Sequence, residues 1–111
     1  MYEVKSIIRP ERVAAVVHAL HDIPDVPGVT VSVVRGFGRR TSTSQATGGV
    51  EYGETEMAKL ETVVPETLLQ QVVETVQEIA ATGRPGDGKV FISRVDEAIK
   101  IRSGTRGSDA L

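Results

Sequence analysis

Cysteine is absent from the 111 residues, which excludes a disulfide framework, a Cys-based zinc site and a thiol nucleophile. Tryptophan is absent as well, and two tyrosines and two phenylalanines are all the aromatic side chains there are. That leaves little for stacking nucleic-acid bases. An excess of one charge is also lacking: 13 Lys and Arg against 15 Asp and Glu give a formal net charge of -2, no field for generic nucleic-acid binding. Any functional positive charge must therefore act locally. No apolar run approaches the ~18 residues needed to span a bilayer, and the start Met-Tyr-Glu-Val-Lys-Ser lacks the basic-then-apolar plan of a signal peptide. A cytoplasmic protein is expected.

What remains is ordinary globular composition, 40% hydrophobic and 25% charged, at a length that suits one domain over 1–111. The core has to come from Val, Ile, Leu and Ala. So thin a core gains from association, because the buried fraction rises with size.

Hydrophobic spacing sets the elements. Tyr2 to Arg9 reads as a strand stopped by Pro10. Val13, Val16, Val17 and Leu20 fall at i, i+3, i+4, i+7, one face of a helix over Glu11 to Asp22, ended by Pro24, Pro27 and Gly28. Val29, Val31 and Val33 alternate with Thr30, Ser32 and Val34 as a second strand running into Gly36-Phe-Gly38. Residues 39 to about 55 are rich in Ser, Thr and Gly and nearly free of large apolar anchors, so a long flexible loop is expected there, functional or a passive linker. Leu60, Thr62 and Val64 mark a third strand from Met57 to Val64. Pro65 then opens a second helix carrying Leu68, Leu69, Val72, Val73, Val76, Ile79 and Ala80 on one side. After a turn-rich loop, 82–89, a fourth strand runs from Lys89 to Val95, and the C-terminal segment is 96–111.

This order predicts an α+β, ferredoxin-like βαββαβ sandwich, with two helices on one face of an antiparallel sheet. Val34 and Phe91 fall out of phase with their strands' other apolar residues. The uncovered face is thus partly apolar and suited to meeting other subunits.

Three basic, glycine-linked clusters could carry chemistry. In Gly86-Asp-Gly-Lys89, closely spaced glycines let backbone N–H groups approach phosphate while Lys89 supplies charge. The spacing is not that of a P-loop, since Val90 follows Lys89 and the segment runs from helix to strand; taken alone it also describes a plain turn. The second cluster is Gly36-Phe-Gly-Arg-Arg40. The third is Lys100-Ile-Arg102, where an extended backbone would point both cations to one side; a solvated basic edge fits that pattern equally. His18 and His21, at i, i+3, lack a third ligand nearby and read as solvated residues near a helix end.

Thr82-Gly-Arg-Pro-Gly-Asp-Gly-Lys-Val-Phe-Ile92 resembles the C-terminal signature of PII signal-transduction proteins, T-x-x-x-G-D-G-K-[IV]-F-[LIVM], at every specified position. The likeness extends to Ile7-Ile-Arg-Pro10, where the family has I-I-K-P, and to Gly28-Val-Thr-Val31, Gly36-Phe-Gly-Arg39, Val63-Val-Pro65 and Ile101-Arg-Ser-Gly104. It implies a homotrimer that binds ATP or ADP, with AMP a further candidate, in clefts between subunits. The cleft would be lined by Ile7, Thr30, Gly36, Phe37, Gly38, Arg39, Arg40 and Val63. Gly86, Asp87, Gly88 and Lys89 would cradle the phosphates, joined by Lys100 and Arg102 in the place of two family arginines. The loop at 39–55 would dock on a target protein, a transporter or its regulator, in nitrogen, inorganic-carbon or metal transport. No catalytic residues are implied, because the family signals rather than catalyses.

The chain also departs from that pattern. Arg40 stands where the family has a Gln that helps hold Mg²⁺ with 2-oxoglutarate, and a cation there repels Mg²⁺. Met57 stands in place of a Lys associated with ATP and 2-oxoglutarate. A response to Mg²⁺ and 2-oxoglutarate is therefore not carried over, and a guanidinium at 40 suits a small anionic effector bound without metal. The loop signature Y-[KR]-G-[AS]-[AE]-Y survives in Thr47-Gly-Gly-Val-Glu-Tyr52 only as the Gly, the acid and the final Tyr. Tyr52 aligns with a tyrosine that some members have uridylylated and is a candidate modification site. The alternatives are a standard nitrogen regulator responding to 2-oxoglutarate with Mg-ATP, a slow ATP-hydrolysing enzyme, or an adaptor that binds no nucleotide.

Overall fold

The computed structural model describes the backbone of residues 1–41 and 50–111, and side chains outside 39–52. The elements in chain order are β1 (Tyr2–Ile8), a 3-10 turn (Pro10–Arg12), α1 (Val13–His21), β2 (Thr30–Thr41), β3 (Val50–Val64), α2 (Glu66–Ala80) and β4 (Gly88–Arg94). The strands form one antiparallel sheet in the order β2-β3-β1-β4, the ferredoxin-like arrangement.

In β1 the side chains of Val4, Ser6 and Ile8 are buried while their neighbours are not, the period of two that a half-covered sheet imposes. They pair with Thr62, Leu60 and Ala58 of β3, which share that face. Val16 and Leu20 of α1 and Val72, Val76 and Ala80 of α2 close over it. Each aliphatic side chain buried this way contributes about 1.5–3 kcal/mol. The buried Thr62 hydroxyl donates to the Gly28 carbonyl at 3.1 Å, tying β3 to the entry of β2.

The other face of the sheet carries no helix. Register places Glu3, Lys5 and Ile7 there, beside Lys59, Glu61 and Val63 of β3 and Lys89 and Phe91 of β4. Val34, paired with Met57, lies on this face too, so the two out-of-phase residues do give it apolar character. Phe91 is 53% exposed.

Three local expectations differ from the structure. Strand runs to Thr41 and resumes at Val50, so both ends of the anticipated loop are paired β structure; a backbone ladder forms without apolar anchors, which is why side-chain pattern did not reveal it. Residues 42–49 lie outside the described residues. Pro65 is the cap before α2, extended at φ -65 and ψ 155, and not its first helical residue. Lys100 and Arg102 are not in an extended segment: Lys100 N–H donates to the Thr105 carbonyl at 2.8 Å and Gly104 N–H to the Lys100 carbonyl at 2.7 Å, closing a turn. Gly104, at φ 72, supplies the left-handed backbone that reverses the chain.

Candidate phosphate-binding site

The junction between α2 and β4 is gripped by two arginines from the end of the neighbouring strand β1 and the turn that follows it. After β1 the chain turns at Pro10, which aims Arg9 and Arg12 toward the end of α2. The Arg12 guanidinium donates through Nε, at 2.9 Å, and through Nη2 to the Ile79 carbonyl. A cation at this terminus meets the negative end of the helix dipole and one of its unpaired carbonyls. Arg9 Nε donates to Asp87 Oδ1 at 2.8 Å, and Arg9 Nη2 to the Pro85 carbonyl at 2.7 Å.

Asp87 organises the loop from within. Its Oδ1 also accepts from the Thr82 hydroxyl, and its Oδ2 accepts the backbone N–H groups of Thr82 at 2.8 Å and Gly83 at 3.0 Å. The Arg9 guanidinium first, then the Thr82 hydroxyl and the two amides, hold the Asp87 carboxyl well below the usual carboxylate range, against a small opposing effect of burial. The loop then joins β4 at Gly88, whose φ is 104. A Cβ there would fall 1.7 Å from the Ile7 carbonyl oxygen, so only glycine lets the chain pass. Lys89 follows, opposite Ile7 on the open face and exposed. Between α2 and this loop opens a cavity of about 410 Å³, lined by Ile8, Val76 and Ala80 and reaching Asp87, Gly88 and Lys89.

The structure brings together Ile7, Gly86, Asp87, Gly88 and Lys89. Gly36, Phe37 and Gly38 project past the same end of the sheet, but β1 and β3 intervene, about 14 Å at ordinary strand spacing. Gly36 lies against Met57, which is buried, and Phe37 is exposed. Arg39 and Arg40 pair through backbone with Tyr52 and Glu51; the side chains of Arg39, Arg40 and Tyr52 lie outside the described residues. Thr30 opens β2 opposite Glu61, and Val63 sits beside Glu3 near the far end. Lys100 and Arg102, both exposed, belong to a segment that leaves the sheet where Arg94 pairs with Tyr2, roughly 20 Å along β4 from Gly88. Within one chain the three basic clusters do not converge. His18 meets Asp22 at 3.6 Å, both well exposed. Among the described residues no group of three or more His, Cys, Asp or Glu could hold a metal ion, and no helix is long and apolar enough to cross a membrane.

Sequence reasoning missed Arg9 and Arg12 as parts of this site. The available signal was Arg9-Pro-Glu-Arg12 at a strand end, two cations set by a proline turn; their partners stand 67 to 78 residues away in the chain.

The model of the family described as nitrogen regulatory protein P-II matches residues 1–105. The nitrogen regulatory protein P-II of Rhodospirillum rubrum is 39% identical over 113 residues, covering all of both chains. B. subtilis GlnK in complex with ATP superposes with a TM-score of 0.84 at 33% identity, over 99% of this chain and 96% of that one. Arabidopsis thaliana PII bound to citrate does so with a TM-score of 0.81 at 37% identity, over 99% and 91%. An Asp87-braced glycine loop, a ferredoxin-like sheet and likeness along the whole chain agree, and the protein belongs to the P-II family of nitrogen regulatory, signal-transducing proteins.

Proposed function

We propose that the protein is a homotrimeric sensor of adenine nucleotides, ATP or ADP with AMP a further candidate, which signals to a target protein and catalyses nothing. The observation that carries this reading is the loop at Gly86–Lys89, whose glycines expose backbone N–H groups and whose brace leaves Lys89 free to meet phosphate. Likeness to GlnK solved with ATP supports the choice of ligand.

One chain holds one part of the cleft, and a second copy supplies the rest. Val31, 43% exposed, and Val33, 70% exposed, line one edge of the sheet, and Ile92, 49% exposed, the opposite edge. Two different apolar edges favour head-to-tail association, which closes into a ring. Such a ring brings Thr30, Gly36, Phe37, Gly38, Val63, Lys100 and Arg102 of neighbouring copies toward Gly86–Lys89. The γ-phosphate then distinguishes ATP from ADP near the root of the 39–55 segment, and the segment's shape is read by the target, a transporter or its regulator.

Arg40 and the buried Met57 argue for a second effector other than Mg²⁺ with 2-oxoglutarate. The citrate complex of the Arabidopsis relative is a precedent for a small carboxylate anion. Asp87 is a poor general base, because donors already occupy both of its oxygens. Calorimetric titration with ATP, ADP and AMP, each with and without Mg²⁺, 2-oxoglutarate or bicarbonate, tests the reading. Binding of at least one nucleotide, weakened by Lys89→Ala, is expected. No binding, or sustained phosphate release abolished by Asp87→Ala, overturns it.

A further inference from the structure

We infer that Arg9 is a positioning residue for phosphate affinity, acting through Asp87 as the counter-charge that lets a carboxylate sit inside an anion-binding loop. The inference rests on the nucleotide reading above and assigns a residue which that reading does not use.

An aspartate two residues from the phosphate-directed Lys89 is an electrostatic liability, since its charge would repel the ligand that the loop gathers. The geometry removes that liability. An ionised carboxylate offers about four acceptor positions, and four donors take them: Arg9 Nε and the Thr82 hydroxyl at Oδ1, the Thr82 and Gly83 amides at Oδ2. The carboxylate therefore faces inward and is neutralised by a guanidinium that is itself only 20% exposed. Arg9 Nη2 meanwhile donates to the Pro85 carbonyl at 2.7 Å, so that this acceptor too is met by the guanidinium. One planar fork thus pins two points of the loop, which the single ammonium of a lysine does less well. Lys89 and the glycine amides are left to face the anion.

ATP titration of the wild-type protein, Arg9→Lys, Arg9→Ala, Asp87→Ala and the Arg9→Ala/Asp87→Ala double variant tests this, beside amide hydrogen exchange at Thr82 and Gly83 without ligand. Arg9→Ala should weaken ATP binding about tenfold or more and speed exchange at both amides. Arg9→Lys should restore part of each. With Asp87 already removed, losing Arg9 should change affinity less than about twofold, because the two act as one unit. An equal loss in both backgrounds would mean that Arg9 touches phosphate itself and would overturn the inference, as would wild-type affinity in Arg9→Ala. If the wild-type protein binds neither ATP nor ADP, the proposed function falls and the affinity role with it. Exchange at Thr82 and Gly83 then still decides whether Arg9 braces the loop.

Discussion

Two segments leave the sheet at the same end and are held there by different means. The loop at 82–89 is fixed by side chains: Arg9, from the end of neighbouring β1, to Asp87 and Pro85, Arg12 to Ile79, and the Asp87 carboxylate to Thr82 and Gly83 within the loop. The β2–β3 hairpin past Val33 has its backbone ladder, the half-buried pairing of Val34 with Met57, and, among the contacts of the described residues, the exposed Arg35–Glu54 ion pair and Arg35 over the Phe37 ring at 5.8 Å. A segment specified by several long-range contacts has one conformation. One specified mainly by its backbone ladder and exposed side-chain contacts can be reshaped at smaller cost. The contrast is one of means: side chains set the glycine loop, and mainly backbone sets the described part of the hairpin.

The largest effect should come from Gly88→Ala. A methyl group 1.7 Å from the Ile7 carbonyl oxygen, at φ 104, has nowhere to go unless β1 and β4 part. We expect a loss of about 3 kcal/mol or more, read from urea unfolding. Unaltered stability would mean that the loop is no better fixed than the hairpin.

Asp87→Asn should give the next largest effect, with a pH signature. A carboxyl held low in the folded state stabilises the fold above its unfolded pKa, about 3.9, and loses that contribution as pH falls through the folded value. The melting temperature of the variant should thus lie furthest below wild type at neutral pH, and the gap should narrow below about pH 4. A gap that stays constant with pH would show the charge to be irrelevant. Arg12→Ala should cost less, about 1–2 kcal/mol, through the charged hydrogen bond lost at the end of α2.

How far the sequence could be read follows from the same contrast. Helices and core strands were legible because burial writes itself as period: Val72, Val76 and Ala80 at steps of four, Leu60, Thr62 and Val64 at steps of two. Ser6 shows the limit, a polar residue in the core that patterning alone would turn outward. The glycines of the 82–89 loop stood out through resemblance more than through spacing. Arg9 and Arg12 were not legible: Arg9-Pro-Glu-Arg12 marks two cations at a proline turn, but not their partners, which stand 67 to 78 residues away. Nor was the turn at Lys100, where the basic i, i+2 pattern was read as an extended segment while two backbone bonds and Gly104 closed a reversal.

The smallest effect is expected in the hairpin. Arg35 and Glu54 are 67% and 48% exposed, so their attraction is screened by water and offset by the ordering of two long side chains. The ring contact between Arg35 and Phe37 adds little at so open a position. A double-variant cycle with Arg35→Ala and Glu54→Ala should therefore give a coupling of no more than about 0.5 kcal/mol in unfolding, and neither single change should alter ATP affinity as Arg9→Ala does. A coupling well above that value would show the hairpin to be locked by its own side chains. The two segments would then differ in what they bind and not in how firmly they are held.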